Sequence, residues 1–366
     1  TNTVDMKVMI HKIHAGRNLP SVQAGGEYAI WGFRNSKHDY SQLAYPQDIR
    51  NCVNCHVGTG TVGDREDLVL TDQGDNWAQY PTAAACGSCH DDQIGPDGHI
   101  GSKEDDSGCA SCHSTGGRAG SVEDSHRMPL IEAGKHFAAE VVAVTRTAPG
   151  EFPRVQYKVF DPTNGDAPYD LQNDPVWTSV DDGASRLAID LAWATTDYTN
   201  TGNGDDDGAS AVSLDGLQGE PVGDGSYVVE SDVAIPDGSL APGIAATGSG
   251  VAGIEGHPAV NIGSEAEPDV QRIAFTNAVK YFSIDEADGT AEDRREVVEI
   301  ENCLNCHGQL SLHGSNRTDK LEVCVASHNP RYTDRRVREI ASNPPTDGKF
   351  DASVDFKTMG QGILAA

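Results

Sequence analysis

The pattern of apolar and polar positions divides the chain into three stretches. Through residues 1–136 the apolar residues recur with neither a sustained helical nor a sustained strand period, and the sequence is loop-rich. From residue 137 it changes to alternation. AAEVVAVTRT (138–147), RVQYKVFD (154–161), RLAIDLAW (186–193), SYVVESDVAI (226–235) and VQRIAFTNAVKYFSI (270–284) read as strands separated by Gly, Asp and Pro turns. This predicts an all-β domain, a sandwich or Greek-key barrel, over 137–290. The charged run AEDRREVVEIEN (291–302) predicts a short helix opening a last segment, 291–366.

Composition sharpens the contrast. Only 37% of the 366 residues are hydrophobic and 6% aromatic, against 40 Gly and 18 Pro, too little apolar material for an ordinary core throughout. Something other than side chains is expected to fill part of the interior. No apolar run approaches the roughly 18–20 residues that span a bilayer, and residues from Thr1 show neither the basic nor the apolar region of an export signal. Lys and Arg number 27 against 56 Asp and Glu, a net charge of −29. Such a field repels nucleic acid and anionic headgroups and favours cations and cationic partners.

The cysteines say what fills the interior. Eight of nine fall into four copies of C-x-x-C-H: Cys52, Cys55 and His56; Cys86, Cys89 and His90; Cys109, Cys112 and His113; Cys303, Cys306 and His307. The spacing has a chemical reason. Two thiols three positions apart on a tight turn each add to one vinyl group of a porphyrin, and the next residue lies under the iron as its axial imidazole. Zinc ribbons also use C-x-x-C pairs, but leave the following His unexplained, and a disulfide framework has no use for it. The ninth cysteine stands in CVASHNP (324–330), one letter from the same motif. Cys324 is left to hold one vinyl edge and His328 to ligate the iron, so five c-type haems are expected, the fifth through a single thioether; a free cysteine in an ordinary loop is the alternative.

Each haem needs a second axial ligand. With four Met and thirteen His, paired imidazoles are the general solution. Five His belong to the motifs, leaving His11, His14, His38, His99, His126, His136, His257 and His313. A lone His is ordinarily solvated or hydrogen-bonded, and His136 and His257, the latter far from any motif, take that default.

The segments DMKVMIHKIHAG (5–16), HDYSQLAYPQDIRNCVNCH (38–56), CHGQLSLHGSNR (306–317) and CVASHNP together resemble the outer-surface decahaem cytochromes of the OmcA/MtrC type. The resemblance implies exported, multihaem electron transfer at the cell surface to minerals, other cytochromes, electrodes or soluble carriers. It implies that His11, His14, His99, His126 and His313 are distal ligands, with His38 as a sixth candidate for five irons. Three haems would occupy 1–136 and two 291–366, with the β-domain inserted between them. The chain departs from the family by carrying five sites rather than ten and by beginning half-way through a five-haem module.

Three further expectations follow. The supply of His covers every iron and no C-x-x-C-K motif occurs, which favours an electron conduit over a reductase of small nitrogen or sulfur oxyanions, in which one iron is open to substrate. Residues 354–366, VDFKTMGQGILAA, repeat 4–16 with six of thirteen positions identical, but Gln361 and Leu364 replace His11 and His14. The His-bearing copy of one chain would then complete the C-terminal haems of another, joining copies head to tail, as a filament if the rotation does not close. Finally, the acidic loop NTGNGDDDGAS (200–210) lacks EF-hand spacing and reads as solvated rather than as a Ca²⁺ site.

Overall fold

A computed structural model describes residues 4–58, 70–93, 99, 106–180, 184–194, 200, 210–240, 243–284 and 289–365, the last three of these by backbone alone. Most of the acidic loop, 201–209, lies outside the described residues. The chain forms two compact units, one of Thr1–Met128 with Asn305–Gly308, the other of Pro129–Leu304 with Gln309–Ala366.

In the first unit the regular elements are short. The Met6–Ala15 helix starts where the Asp5 side chain accepts from the Lys7 N–H, and ends at Gly16. Gly16 has φ +45°, and a Cβ there would strike the Leu43 carbonyl, so the tight turn requires glycine. Strands β1 (Ala29–Trp31) and β2 (Lys37–Asp39) form an antiparallel hairpin. Ala15, Leu19 and Tyr28 make a small buried cluster with Ile13, Val22, Ile30, Tyr40 and Cys89 packed against it.

The second unit is built on two antiparallel sheets. One has strand order β3 (Ala138–Thr145), β4 (Arg154–Asp161), β9 (Tyr227–Glu230), β8 (Glu220–Pro221), with β5 (Ala167–Pro168) also on β4. The other runs β13 (Ala278–Ser283), β10 (Ser249–His257), β6 (Arg186–Trp193), β7 (Val212–Asp215). Val155, Tyr157 and Val159 from the first and Leu187, Ile189, Leu191 and Ile254 from the second share one core with Trp177 and Phe275. The all-β middle is therefore a pair of sheets packed over a common apolar core. Two small hairpins complete the strands: β11 (Ala259–Asn261) with β12 (Val270–Arg272), and β14 (Ser311–Leu312) with β15 (Arg317–Thr318).

Strand β6 matches the sequence expectation in length but is buried on both faces. Its odd-numbered Leu187, Ile189, Leu191 and Trp193 enter the core. Beyond Arg186 its even-numbered residues are small or acidic (Ala188, Asp190, Ala192), and on β10 the same outer face carries Val251, Gly253 and Glu255. Small side chains let a helix approach closely. The Leu321–Ser327 helix lies there, with Ala326 clustered against Ala192 and Val251. A Cβ on Gly253 would stand 3.2 Å from a methyl of Val323.

Two expectations shift. The strand over 270–284 breaks into β12 and β13, because the Ile273 N–H bonds the Pro258 carbonyl and Asn277 exchanges bonds with Thr318. The helix expected over 291–302 forms only at Ile300–His307. Upstream, the Glu292 N–H is taken by the Ser249 hydroxyl. Like-charge repulsion from Glu296, with burial and Glu301 adding to it, raises the pKa of Glu299.

Candidate multihaem site

Each motif folds as one turn that closes on itself. The N–H of His56 bonds the Cys52 carbonyl at 2.9 Å, His90 that of Cys86 at 2.9 Å, and His113 that of Cys109 at 3.0 Å. His328 does the same to Cys324 at 2.8 Å. The degenerate site therefore has the same backbone turn as the complete ones, with Ser327 where a second thiol would stand. The downstream Asn329 is buried and its amide caps the Ala326 carbonyl at 3.3 Å. The fourth motif lies in the Ile300–His307 helix.

The imidazoles come together in pairs. Ring centroids of His11 and His56 are 5.8 Å apart, His90 and His126 6.1 Å, His99 and His113 5.9 Å, and His313 and His328 5.9 Å. One member of every pair is the motif histidine and the other is not. Two metal–nitrogen bonds of about 2 Å each, plus the distance from ring nitrogen to ring centre at each end, give roughly 6 Å, so an iron fits between the rings. Among the described residues no three His, Cys, Asp or Glu side chains gather as a metal cluster. The donor set is thus two imidazoles with thiols alongside, which suits haem c.

Several rings are also fixed from behind. His14, His126 and His328 each place Nδ1 on a backbone carbonyl, of Ile10 at 2.9 Å, Val122 at 2.7 Å and Val354 at 2.8 Å. A ring donating Nδ1–H in this way presents its other nitrogen, Nε2, as the ligand. Val354 opens the repeated segment 354–366, so that copy, lacking His, orients a motif histidine instead of supplying a distal one.

His14 and His307 are the two remaining ligand candidates of the motif and distal sets. Tyr45 meets the His14 ring edge-on at 4.9 Å, and its phenol pKa is raised by burial and by the Cys55 and Cys306 thiols. Residues 305–308 dock on the same stretch: Asn54 donates to the Asn305 carbonyl at 2.8 Å, and Gly308, at φ +67°, has no room for a Cβ beside Gln47. His38 is exposed on β2 with Nε2 on the Ser36 hydroxyl at 3.0 Å. His136 is exposed beside Thr163 and Asp161. His257, expected to be solvated, is instead buried in β10.

The thiols also map which motifs are neighbours. Burial, with the Cys89 thiol beside it, pushes Cys52 up to about 11, and Cys86 is raised by burial and by Cys109. Cys55 and Cys306 both face Tyr45. The fourth, first, second and third motifs therefore follow one another in space. Sequence reasoning missed the Lys12–Asp91 ion pair, 2.6 Å and buried, which with Ser21 ties the helix of His11 and His14 to the residue after His90. The acid next to a motif histidine was the only signal in the sequence.

Comparison with known proteins bears on the fold. Residues 1–127 match the family model described as outer membrane cytochrome MtrC/MtrF-like, domains II/IV. The crystal structure of the outer membrane decaheme cytochrome OmcA superposes with a TM-score of 0.51 at 19% identity, covering 90% of this chain and 47% of that one. MtrC from Shewanella baltica OS185 matches at a TM-score of 0.46 and 16% identity, over 79% of this chain and 48% of that one. The chain thus spans about half the length of these structures. Among curated proteins none matches. The first 127 residues are thus similar to the MtrC/MtrF-like family model, and the fold resembles that of OmcA.

Proposed function

We propose that this chain is a five-haem electron conduit working at the cell surface. The observation that carries the reading is the set of four histidine pairs, each joining a motif imidazole to one distant in sequence at 5.8–6.1 Å. Bound haem supplies a one-electron Fe(III)/Fe(II) couple. The chain's residues do the rest. Cys52 and Cys55, Cys86 and Cys89, Cys109 and Cys112, and Cys303 and Cys306 would each tether a haem by two thioethers, and Cys324 by one. His56, His90, His113, His307 and His328 would hold the irons as the motif ligands, with His11, His126, His99, His14 and His313 as their respective partners.

Two imidazoles on every iron leave no coordination place for a substrate, and anchored rings change little between oxidation states. Both favour a conduit over a reductase. The adjacency of the motifs through Cys52–Cys89, Cys86–Cys109 and the shared Tyr45 supports stepwise transfer between neighbouring haems. Terminal acceptors are proposed as other cytochromes, minerals or soluble redox carriers, in keeping with the outer-membrane cytochromes it resembles. His11 and His313 have ring partners within the chain, His14 is taken to serve His307, and joining of copies head to tail through the His-bearing segment is decided by sedimentation.

Mass spectrometry of the intact protein should show five haems, and the ferric spectrum should be wholly low-spin. A mass for four haems would remove the Cys324 site, and a high-spin fraction that binds small ligands would favour the reductase. His14→Ala should make one haem high-spin and leave the sedimentation coefficient unchanged; loss of a polymer in that variant would restore the head-to-tail contact.

A further inference from the structure

The mechanism above leaves one buried group of charges unused, and it lies on the sheet face beneath the Cys324 site. Asp190 in β6 and Glu255 in β10 are 5% and 3% exposed. Because Asp190 stands opposite Gly253 and Glu255 opposite Ala188, the two carboxylates are diagonal neighbours on the same outer face, with no side chain between them. The Leu321–Ser327 helix covers that face. Arg317, on β15, bridges the pair: its Nε donates to Glu255 and its Nη2 lies 3.7 Å from Asp190. Arg186, half-exposed, reaches Glu255 at 3.2 Å, and marks the edge where water meets the cluster.

The groups facing Asp190 come from every element around it. They are Glu255 on β10, Arg317 on β15, Arg186 on its own strand and the Ser213 hydroxyl on β7. Arg317 and Glu255 act electrostatically on both Cys324 and His313. The cluster and the haem-bearing residues thus share one field.

Two carboxylates this close and this dry do not both stay ionised readily when only Arg317 lies between them and Arg186 reaches Glu255 from the water-facing edge. An extra negative charge arriving nearby tips the balance toward a proton. Resting on the five-haem reading, we propose that Asp190 is a redox-linked proton acceptor for the haem held by Cys324, His328 and His313. As one electron arrives at that haem, Asp190 takes one proton from water to form its carboxyl O–H; as the electron leaves, the proton returns to water. No other bond forms or breaks, and the charge of the site is unchanged over the cycle. Burial and the Glu255 charge both raise the Asp190 pKa, which sets it within reach of neutral pH.

The test is a spectroelectrochemical titration of the whole holoprotein between pH 5 and 8. His313→Met, which replaces one imidazole by a thioether, moves one transition upward and so marks it. In the native protein that marked transition should fall as pH rises, its equilibrium constant changing up to tenfold per pH unit, or about 59 mV for a one-electron couple. In Asp190→Asn the slope should vanish while the other four transitions stay in place. In case that variant does not fold, reduced-minus-oxidised infrared spectra of the native protein should show a protonated carboxyl appearing on reduction. A pH-independent transition, a slope that survives Asp190→Asn, or the absence of that carboxyl signal would each overturn the proposal. A protein carrying only four haems would instead overturn the five-haem reading on which it rests.

Discussion

The first unit and the sheets of the second solve the same problem with different materials. In the sheets, apolar side chains from both layers interlock around Trp177, Ile189 and Phe275. In the first unit the buried apolar cluster is little more than Ala15, Leu19 and Tyr28, while histidine rings face one another across gaps of about 6 Å. One interior is written as side-chain volume, the other as ligand placement. The lesson is that a low hydrophobic fraction is not a weak fold when the interior belongs to a cofactor: the constraint passes from periodicity to the spacing of a few donor residues.

The strongest way to break this contrast is to prevent haem attachment. Replacing all nine cysteines by Ala should leave the first unit without its interior, so hydrogen exchange over residues 6–128 should rise to that of an unfolded chain wherever amides are followed. The amides of β4, β6 and β10 should stay protected. If both regions lose protection together, the sheets depend on the haems and the contrast fails.

A smaller effect tests the polar ties within the cofactor-built unit. Lys12 is 4% exposed, bonded to Asp91, with its ammonium 5.3 Å from the centre of the Tyr28 ring. Lys12→Met leaves the Asp91 carboxylate buried with only Ser21 for company, and removal of one partner of a buried pair costs about 3–5 kcal/mol. The double variant Lys12→Met, Asp91→Asn should recover much of the loss. Thermal melts followed at the Soret band measure both, and equal melting temperatures for native and Lys12→Met proteins would show the pair to be inert. In the sheets, by contrast, Ile189→Val removes one methylene from a fully buried position. It should cost about 0.5–1.5 kcal/mol in far-UV denaturation and leave the Soret band untouched.

These differences also decide what could be read from the sequence. Strand β4 was legible to the residue because alternation is imposed wherever one face is buried. The motif turns were legible because thioether chemistry fixes their spacing. The pairing of His11 with His56 or His99 with His113 was not, since it depends on how loops return in space. Asp190 was visible as an acid inside an apolar strand, yet only the overlying Leu321–Ser327 helix and Arg317 make it a buried charge. His257, far from any motif, took the solvated or hydrogen-bonded default; its burial comes from the sheet around it. The expected helix over 291–302 starts only at Ile300, and upstream the Glu292 N–H is held by the Ser249 hydroxyl of β10.

The finest test sets two buried titratable groups of the second unit against each other. His257 is 2% exposed, its Nδ1 lacks a hydrogen-bond partner, and burial, with Arg272 and Arg186 nearby, lowers its pKa to about 4. Unfolding returns it to about 6.5, so between these values the unfolded chain binds more protons. Its contribution to stability is complete above pH 6.5 and drains away as pH falls toward 4. Asp190 runs the other way. Its pKa is raised by burial and by Glu255, so the folded protein binds the extra proton, and that stability is full below the ordinary carboxylate range and is lost as pH climbs toward neutrality. In the native protein the two slopes oppose each other, and urea midpoints of the sheets should change little between pH 4.5 and 6.5. His257→Leu should unmask the Asp190 slope, with stability falling as pH rises, and Asp190→Asn should unmask the His257 slope, with stability rising. If both variants show the same pH profile as the native protein, neither group titrates differently in the folded state and the sheets carry no buried charge that matters in this range.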